Sequence, residues 1–451
     1  MHHNLIIKDG DSTQVEKEIL VDGVLYIDEK PRKGSFNLIT SGAVAEIVPE
    51  SQSKDNPLMT AEDVERMIDV MKPIDAMTLR FEFSKKDYNP ETAGVGSAGT
   101  WTKVDSPTLN IWDWTNEATD WHESFKGAFP DADNEVSVIA AGDTSDVTTV
   151  DGMFAGEWTG SAPYMNNYNL TVRNNIVSCV PFDVSSCTNF GTMFCATYLK
   201  HIVQFAFNPS ITNDIGVMFS DTMIETVDSY DLMGITAGMT GFISCNSKLT
   251  KIGRIIGGEN ITYGASCFSG SVNMNSILKR IEYMDVVWSN RCDSIFAYNY
   301  ELEELPVLDI SHTNNLLQAF IYCRKLKHIK LKNRNLSSTT LKLAFYDCQS
   351  LIELPDLDTS DVTNIDSFAR QCYSIDRIPD YDVSSVTSCA AAFRDSTNIK
   401  YGILEMYNKL LARDSAITDH KNCFKNCGIN TPEGQAALAQ IPQSWGGLAE
   451  G

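Results

Sequence analysis

No stretch of this 451-residue chain approaches the roughly 18 consecutive apolar residues of a membrane span, so no membrane insertion is expected. Paired metal motifs are missing too. Among twelve cysteines there is no Cys-x-x-Cys, and the nearest approach is Cys423 and Cys427 with no second pair beside them. The seven histidines show no ligand spacing beyond the adjacent His2 and His3. Positive charge is short: 36 Lys and Arg against 59 Asp and Glu leave a net charge of -23. Phosphate backbones would be repelled, which argues against nucleic acid as a partner. The first residues, Met1-His-His-Asn-Leu-Ile-Ile-Lys, carry no apolar run, cleavage site or lipid-attachment cysteine. Export by a signal peptide is therefore not expected. No residue is assigned a catalytic, cofactor-binding or metal-binding role.

What the chain has is a period of about 25 residues. Phe194, Phe219, Phe242, Phe268, Phe296, Phe320, Phe345, Phe368 and Phe393 recur at gaps of 23 to 28, and an apolar residue follows each by five to seven positions. Asp143, Asp183, Asp231, Asp309 and Asp382 each stand 11 residues before a Phe, and Asp358 stands 10 before. Self-similarity at such a period marks a solenoid, in which one unit cannot bury its own apolar face and stacking buries a continuous core. The predicted fold is α/β: a leucine-rich-repeat-like solenoid over residues 131–400, with right-handed coils of one short parallel rung and one short helix.

The residue types support each part of that unit. Leu302, Leu305 and Leu308, then Leu351, Leu354 and Leu357, then Ile375, Ile378 and Tyr381, give an inward-facing rung. Pro306, Pro355 and Pro379 share one slot and cannot donate to a sheet ladder, so the rung strand must be short or at an edge. Ser185, Ser311, Ser360 and Ser384 are placed to cap the following helix, and the nine phenylalanines plug the space between helix and rung. Cysteines three or four residues after a Phe read as small buried hydrophobes. Layers spaced by helix packing would stand roughly 10 Å apart, too far for disulfides between equivalent positions.

Outside the repeats the texture changes. Residues 1–78 hold a predicted hairpin about Asp22-Gly23 and a capping-box helix from Thr60 with the apolar stripe Val64, Met67, Ile68 and Met71. Residues 79–130 hold a glycine-rich loop, Ala93 to Gly99, with no Lys-Ser/Thr behind it to make a phosphate cradle. They also hold Trp101, Trp112, Trp114, Trp121, Phe125 and Phe129, which suit the sealing of a first coil or, if exposed, stacking on sugars. Residues 401–451 read as a helical cap: an amphipathic segment with Ile403, Leu404, Tyr407, Leu410 and Leu411 on one side, then a last helix opening at Thr431-Pro432-Glu433.

The unit Leu-x-x-Leu-Pro-x-Leu-Asp-x-Ser-x-Val-Thr, followed by Phe and Cys, resembles the BspA-type leucine-rich repeats of bacterial and protozoan surface proteins. Lys33-Gly-Ser-Phe-Asn-Leu-Ile-Thr-Ser-Gly-Ala-Val-Ala looks like an element near the start of virion fibre and tail proteins of gut bacteriophages, those of the crAss-like type included. That resemblance implies a non-enzymatic virion component, made in the host cytoplasm and released by lysis. Its residues 1–78 would join other virion proteins and further copies of the chain, preferably as a trimer, through Phe36, Asn37, Ile39, Thr40, Ser41, Val44, Val64, Met67, Ile68 and Met71. The repeat body would face a host-surface glycan or protein. A bacterial adhesin of the BspA type is the alternative, and a polysaccharide-degrading β-helix enzyme a more distant one.

Overall fold

The computed structural model describes six two-residue strands before residue 60 and, from Ala61 to Glu450, all residues except 161–167, 209–213, 236–237, 272–275, 311, 333–335 and 337. It is a mixed α/β fold with most of its regular structure in strands and, among the described residues, few helices and no closed barrel. The short strands are β1 (His3–Asn4), β2 (Ile7–Lys8), β3 (Gln14–Val15), β4 (Glu18–Ile19), β5 (Ile27–Asp28) and β6 (Leu38–Ile39). β4 pairs with β1, and β5 pairs in parallel with β6. The two halves of the hairpin expected about Asp22-Gly23 therefore have other partners.

Helix α1 (Ala61–Val70) leads into an open five-stranded sheet, ordered β13-β10-β7-β9-β8. Its strands are β7 (Thr78–Phe83), β8 (Thr100–Val104), β9 (Asn110–Thr115), β10 (Val136–Ala141) and β13 (Ile176–Cys179). The hairpin β11 (Glu157–Gly160) and β12 (Tyr168–Val172) lies between β10 and β13 in sequence. The aromatic cluster is interior: Phe81, Trp114, Trp121 and Phe125 are fully buried, and Trp101 and Trp112 nearly so. They seal the sheet and do not offer a face to sugars. The indole N–H groups of Trp101 and Trp114 donate to the carbonyls of Val95 and Gly96, so the glycine loop satisfies them. A Cβ at Gly99 would stand 2.4 Å from the Trp114 ring, which is why glycine is needed there. Arg80, 1% exposed, ties α1 to this sheet. Its guanidinium donates to Asp113 and to the carbonyls of Val70, Lys72 and Pro73.

From Asp120 onward, parallel bridges join equivalent residues of successive units. One series runs Asp120, Thr149, Asn189, Asp214, Gly238, Tyr263, and another runs Thr340, Asn364, Ser388, Asp419. Around each anchor the backbone alternates its bonds. Amides of Phe190, Thr192, Phe194 and Ala196 donate to carbonyls of Asp214, Gly216, Met218 and Ser220 one unit later, while Met193 and Cys195 donate back to Phe190 and Thr192. The helix expected beside each rung is thus a run of tight turns. Residues two before and two after the column position take left-handed φ, as at Thr192 (55°) and Ala196 (58°), Val217 (61°) and Asp221 (53°), and Ala391 (55°) and Asp395 (61°). All but one of the non-glycine left-handed residues, Met77, fall on these two positions, which makes the conformation a property of the unit. Left-handed backbone costs an L-residue roughly 1–2 kcal/mol. The inter-unit bonds on both sides hold it in place.

That frame corrects the register of two anchors. The left-handed pairs Gly241/Cys245 and Ser367/Gln371 centre on Ile243 and Ala369, so Phe242 and Phe368 sit one residue upstream of the column. Their rings show it. In-register neighbours stack within 23° of parallel at 5.4–5.8 Å, as in Phe194–Phe219, Phe296–Phe320 and Phe320–Phe345. The displaced rings instead meet theirs edge-on: Phe219–Phe242 at 83°, Phe345–Phe368 at 72° and Phe368–Phe393 at 89°. All nine phenylalanines are buried. The turn also recurs at Phe125 and Phe154 and again at Phe424, whose ring stacks on Phe393 at 5.8 Å, so the units reach beyond 131–400 at both ends.

The rungs invert the sequence expectation. Regular parallel strands occur in β14 (Thr226–Asp231), β15 (Lys251–Tyr263) and β16 (Arg280–Arg291), whose units match the repeat pattern poorly. The best-matching units have only isolated bridges, such as Leu308 to Leu331 and Arg377 to Tyr401. Pro306, Pro355 and Pro379 remove the donor that a strand would need there. The Asp column works through its own side chains: Asp143, Asp183, Asp231, Asp358 and Asp382 each accept from the amide two residues on. Serines 185, 360 and 384 supply that amide and not a helix cap, and Ser311 lies outside the described residues. At the C-terminal end, α2 (Ile403–Leu411) buries Ile403, Met406, Tyr407 and Leu410, while Leu411 is exposed. Helix α3 (Pro432–Leu438) opens on Thr431, whose Oγ1 accepts from Gly434 at 3.0 Å. Among the described residues one large apolar core runs from Leu79 to Trp445, beside a small separate cluster of Ala155, Cys195, Ala196 and Val217.

Candidate binding face

Beyond each column position the side chains alternate. The third residue points inward: Asn246, Asn299, Cys323, Cys348, Cys372, Ser396 and Cys427 are all buried. These cysteines are more than apolar filler. Sγ of Cys323, Cys348 and Cys372 donates to the carbonyls of Phe296, Phe320 and Phe345, each at 3.1 Å, as Ser396 Oγ does to Ala369 at 2.6 Å. Direct inter-unit hydrogen bonding sets the layers at strand spacing, about 4.8 Å, and not at the 10 Å of packed helices. Spacing alone therefore does not forbid bridges, yet all twelve cysteines are free thiols. Burial pushes Cys323 and Cys372 up to about 12 and Cys348 well above the ordinary thiol value, so none is a poised nucleophile.

Tyr298, Tyr300, Tyr322, Tyr346 and Arg370, all half-buried, and the exposed Arg324 build an aromatic and cationic ladder across four units. Tyr298 stacks on Tyr322 with centroids 5.4 Å apart, and Tyr322 meets Tyr346 at 5.2 Å. The Arg324 guanidinium lies 5.1 Å over Tyr300 and 5.5 Å over Tyr322, with Nε bonded to Asp347 at 2.6 Å. Arg370 lies 5.2 Å over Tyr346. Burial, with the Tyr346 hydroxyl and nearby acids adding to it, pushes Tyr322 up to about 12. Burial also raises Tyr300 and Tyr373. These phenols stay protonated at neutral pH. Sequence reasoning did not single the ladder out, although Tyr298 and Tyr322, two residues after successive anchors, were a visible signal.

The residues expected to bind a partner lie elsewhere. Phe36, Asn37, Thr40, Ser41 and Val44 fall outside the described residues; Ile39 and Val64 are described only by backbone, in β6 and α1. On α1, Met67 is 37% exposed, and Ile68 and Met71 are half-buried. The polar side faces the chain: Asp69 is buried and accepts from Ser106 at 2.6 Å, and Arg66 pairs with Glu82 at 2.8 Å. The apolar stripe is thus not fully covered by its own chain. Among the described residues no three His, Cys, Asp or Glu side chains are placed to hold a metal ion, and no helix is long and apolar enough to cross a membrane.

Residues 101–231 and 339–428, together just under half of the chain, match the model of a family described as "Mycoplasma protein of unknown function, DUF285". This likeness supports a BspA-type repeat protein. The two matched segments hold the units of Phe125 to Phe219 and those of Phe345 to Phe424; the long strands β15 and β16 fall between them. No curated protein and no solved structure matches.

Proposed function

We propose that the protein is a non-enzymatic recognition scaffold, a leucine-rich-repeat-like solenoid carried on a bacteriophage virion as a fibre or tail-associated component. The observation that carries the recognition role is the ladder of half-buried Tyr298, Tyr300, Tyr322, Tyr346 and Arg370 with the exposed Arg324. Aromatic and arginine side chains are the types that dominate binding hot spots, and here stacked backbone holds them rigid. The partly uncovered Met67, Ile68 and Met71 of α1 favour attachment and self-association through the N-terminal region, with trimers preferred by analogy with phage fibres. The ligand of the body is a host-surface glycan or protein. The family likeness favours a second reading, a bacterial surface adhesin.

Quantitative mass spectrometry on particles purified by density gradient from lysed cultures separates these. The virion reading expects the chain at a fixed ratio to the capsid protein. Recovery with the cell envelope and absence from particles would replace it with the adhesin.

A further inference from the structure

We propose that the concavity between the units of Phe268 and Phe296 is a saccharide subsite that takes one neutral hexose ring, an assignment resting on the reading of this face as a recognition surface. The pocket encloses about 400 Å³, room for one or two rings. It exists because the outward positions shrink here. The residue two after the column is Tyr in the units of Phe296 and Phe320 but Cys245 and Gly270 in the two units before. A Cβ at Gly270 would stand 2.3 Å from the Tyr298 carbonyl oxygen. Tyr298, the first rung of the ladder, becomes one wall, and Tyr263, 46% exposed, lines the site as well. The pocket falls in the stretch between the two segments that match the family.

Its chemistry suits a polyol. Arg291 and Asp293 are joined by two bonds, Nε to Oδ1 at 2.9 Å and Nη2 to Oδ2 at 3.0 Å. The formal charges in the lining cancel, which disfavours phosphate, sulfate or a sugar acid. Ser266, Ser294 and Gln318 supply hydroxyl and amide groups that can donate and accept, as vicinal sugar hydroxyls require. Ser294 Oγ already bonds Gln318 Oε1 at 3.3 Å, which fixes that amide. Two tyrosines offer apolar faces to the C–H side of a ring.

The test is saturation-transfer NMR on the full chain with the methyl glycosides of glucose, galactose, mannose and N-acetylglucosamine. At least one should receive saturation, strongest on its ring C–H protons. Tyr263→Ala and Gln318→Ala should each weaken it about tenfold, a loss of about 1.4 kcal/mol, with an unchanged melting temperature. Tyr401→Ala, at an exposed residue outside both the pocket and the ladder, should leave it intact. No transfer to any of the four, or transfer that survives both pocket variants, overturns the subsite. Cell attachment that persists in that case would show the recognition reading standing without it.

Discussion

The thiol of Cys348 donates a hydrogen bond to the carbonyl oxygen of Phe320, 28 residues earlier, at 3.1 Å. The column it belongs to predicts its substitutions. Cys348→Ala should cost about 2 kcal/mol, because a buried acceptor loses a partner and a small cavity opens. Cys348→Ser should stay within about 1 kcal/mol, since Ser396 fills the same position two units later. Urea denaturation of both variants checks this; equal losses would mean that the hydrogen bond contributes nothing.

Alkaline pH should unfold the protein earlier than its acidic composition suggests. The buried thiols have raised folded-state values, with Cys323 and Cys372 up to about 12 because of burial. The folded state therefore keeps protons that the unfolded state releases above about 8.5. This contribution is fully present below that pH and is lost as pH rises toward the folded values. The urea midpoint should be flat between about pH 7 and 8.5 and fall steadily above 9. A midpoint unchanged to pH 11 would contradict the burial of the column.

Ala391→Gly should raise stability. Ala391 holds φ 55°, a conformation costing an L-residue roughly 1–2 kcal/mol that glycine avoids. Glycine's extra unfolded-state entropy returns only about 0.4–1 kcal/mol of that. Calorimetry should show a higher melting temperature, the opposite of the usual effect of this change. A lower one would place Ala391 outside the left-handed region.

These turns explain where the sequence was readable. The period, the buried Leu302, Leu351 and Ile375, and the Thr431-Pro432 helix start all follow from local pattern and were legible. The left-handed positions were not, because Thr192, Val217 and Leu343 carry none of the glycine or asparagine that marks such backbone. Only hydrogen bonds to a neighbour 23 or 24 residues away impose it. The same bonds define the column, so the slip of Phe242 and Phe368 onto the position before it could not be seen in the spacing of phenylalanines. Of the candidate site, Tyr298 and Tyr322 sat in plain view; their stacking depends on a register that the sequence does not print.

The boundary of the N-terminal region follows from Arg80. Removing residues 1–60 should leave a body with an unchanged melting temperature that no longer joins particles. Removing 1–78 should lower stability by about 3 kcal/mol or more, since the buried guanidinium would lose three carbonyl partners and keep only Asp113. Equal melting of the two truncations would show that α1 and its C-terminal turn are not anchored as described.

The account rests on a rigid recognition face built by stacked turns, and one measurement addresses it most directly. Binding of the labelled full chain to intact host cells is followed by flow cytometry for the parent and for a Tyr322→Ala/Arg370→Ala double variant of equal melting temperature. Loss of the shared ring and guanidinium should weaken binding about tenfold or more. Binding equal to the parent's would contradict the claim that this ladder is the face the protein presents.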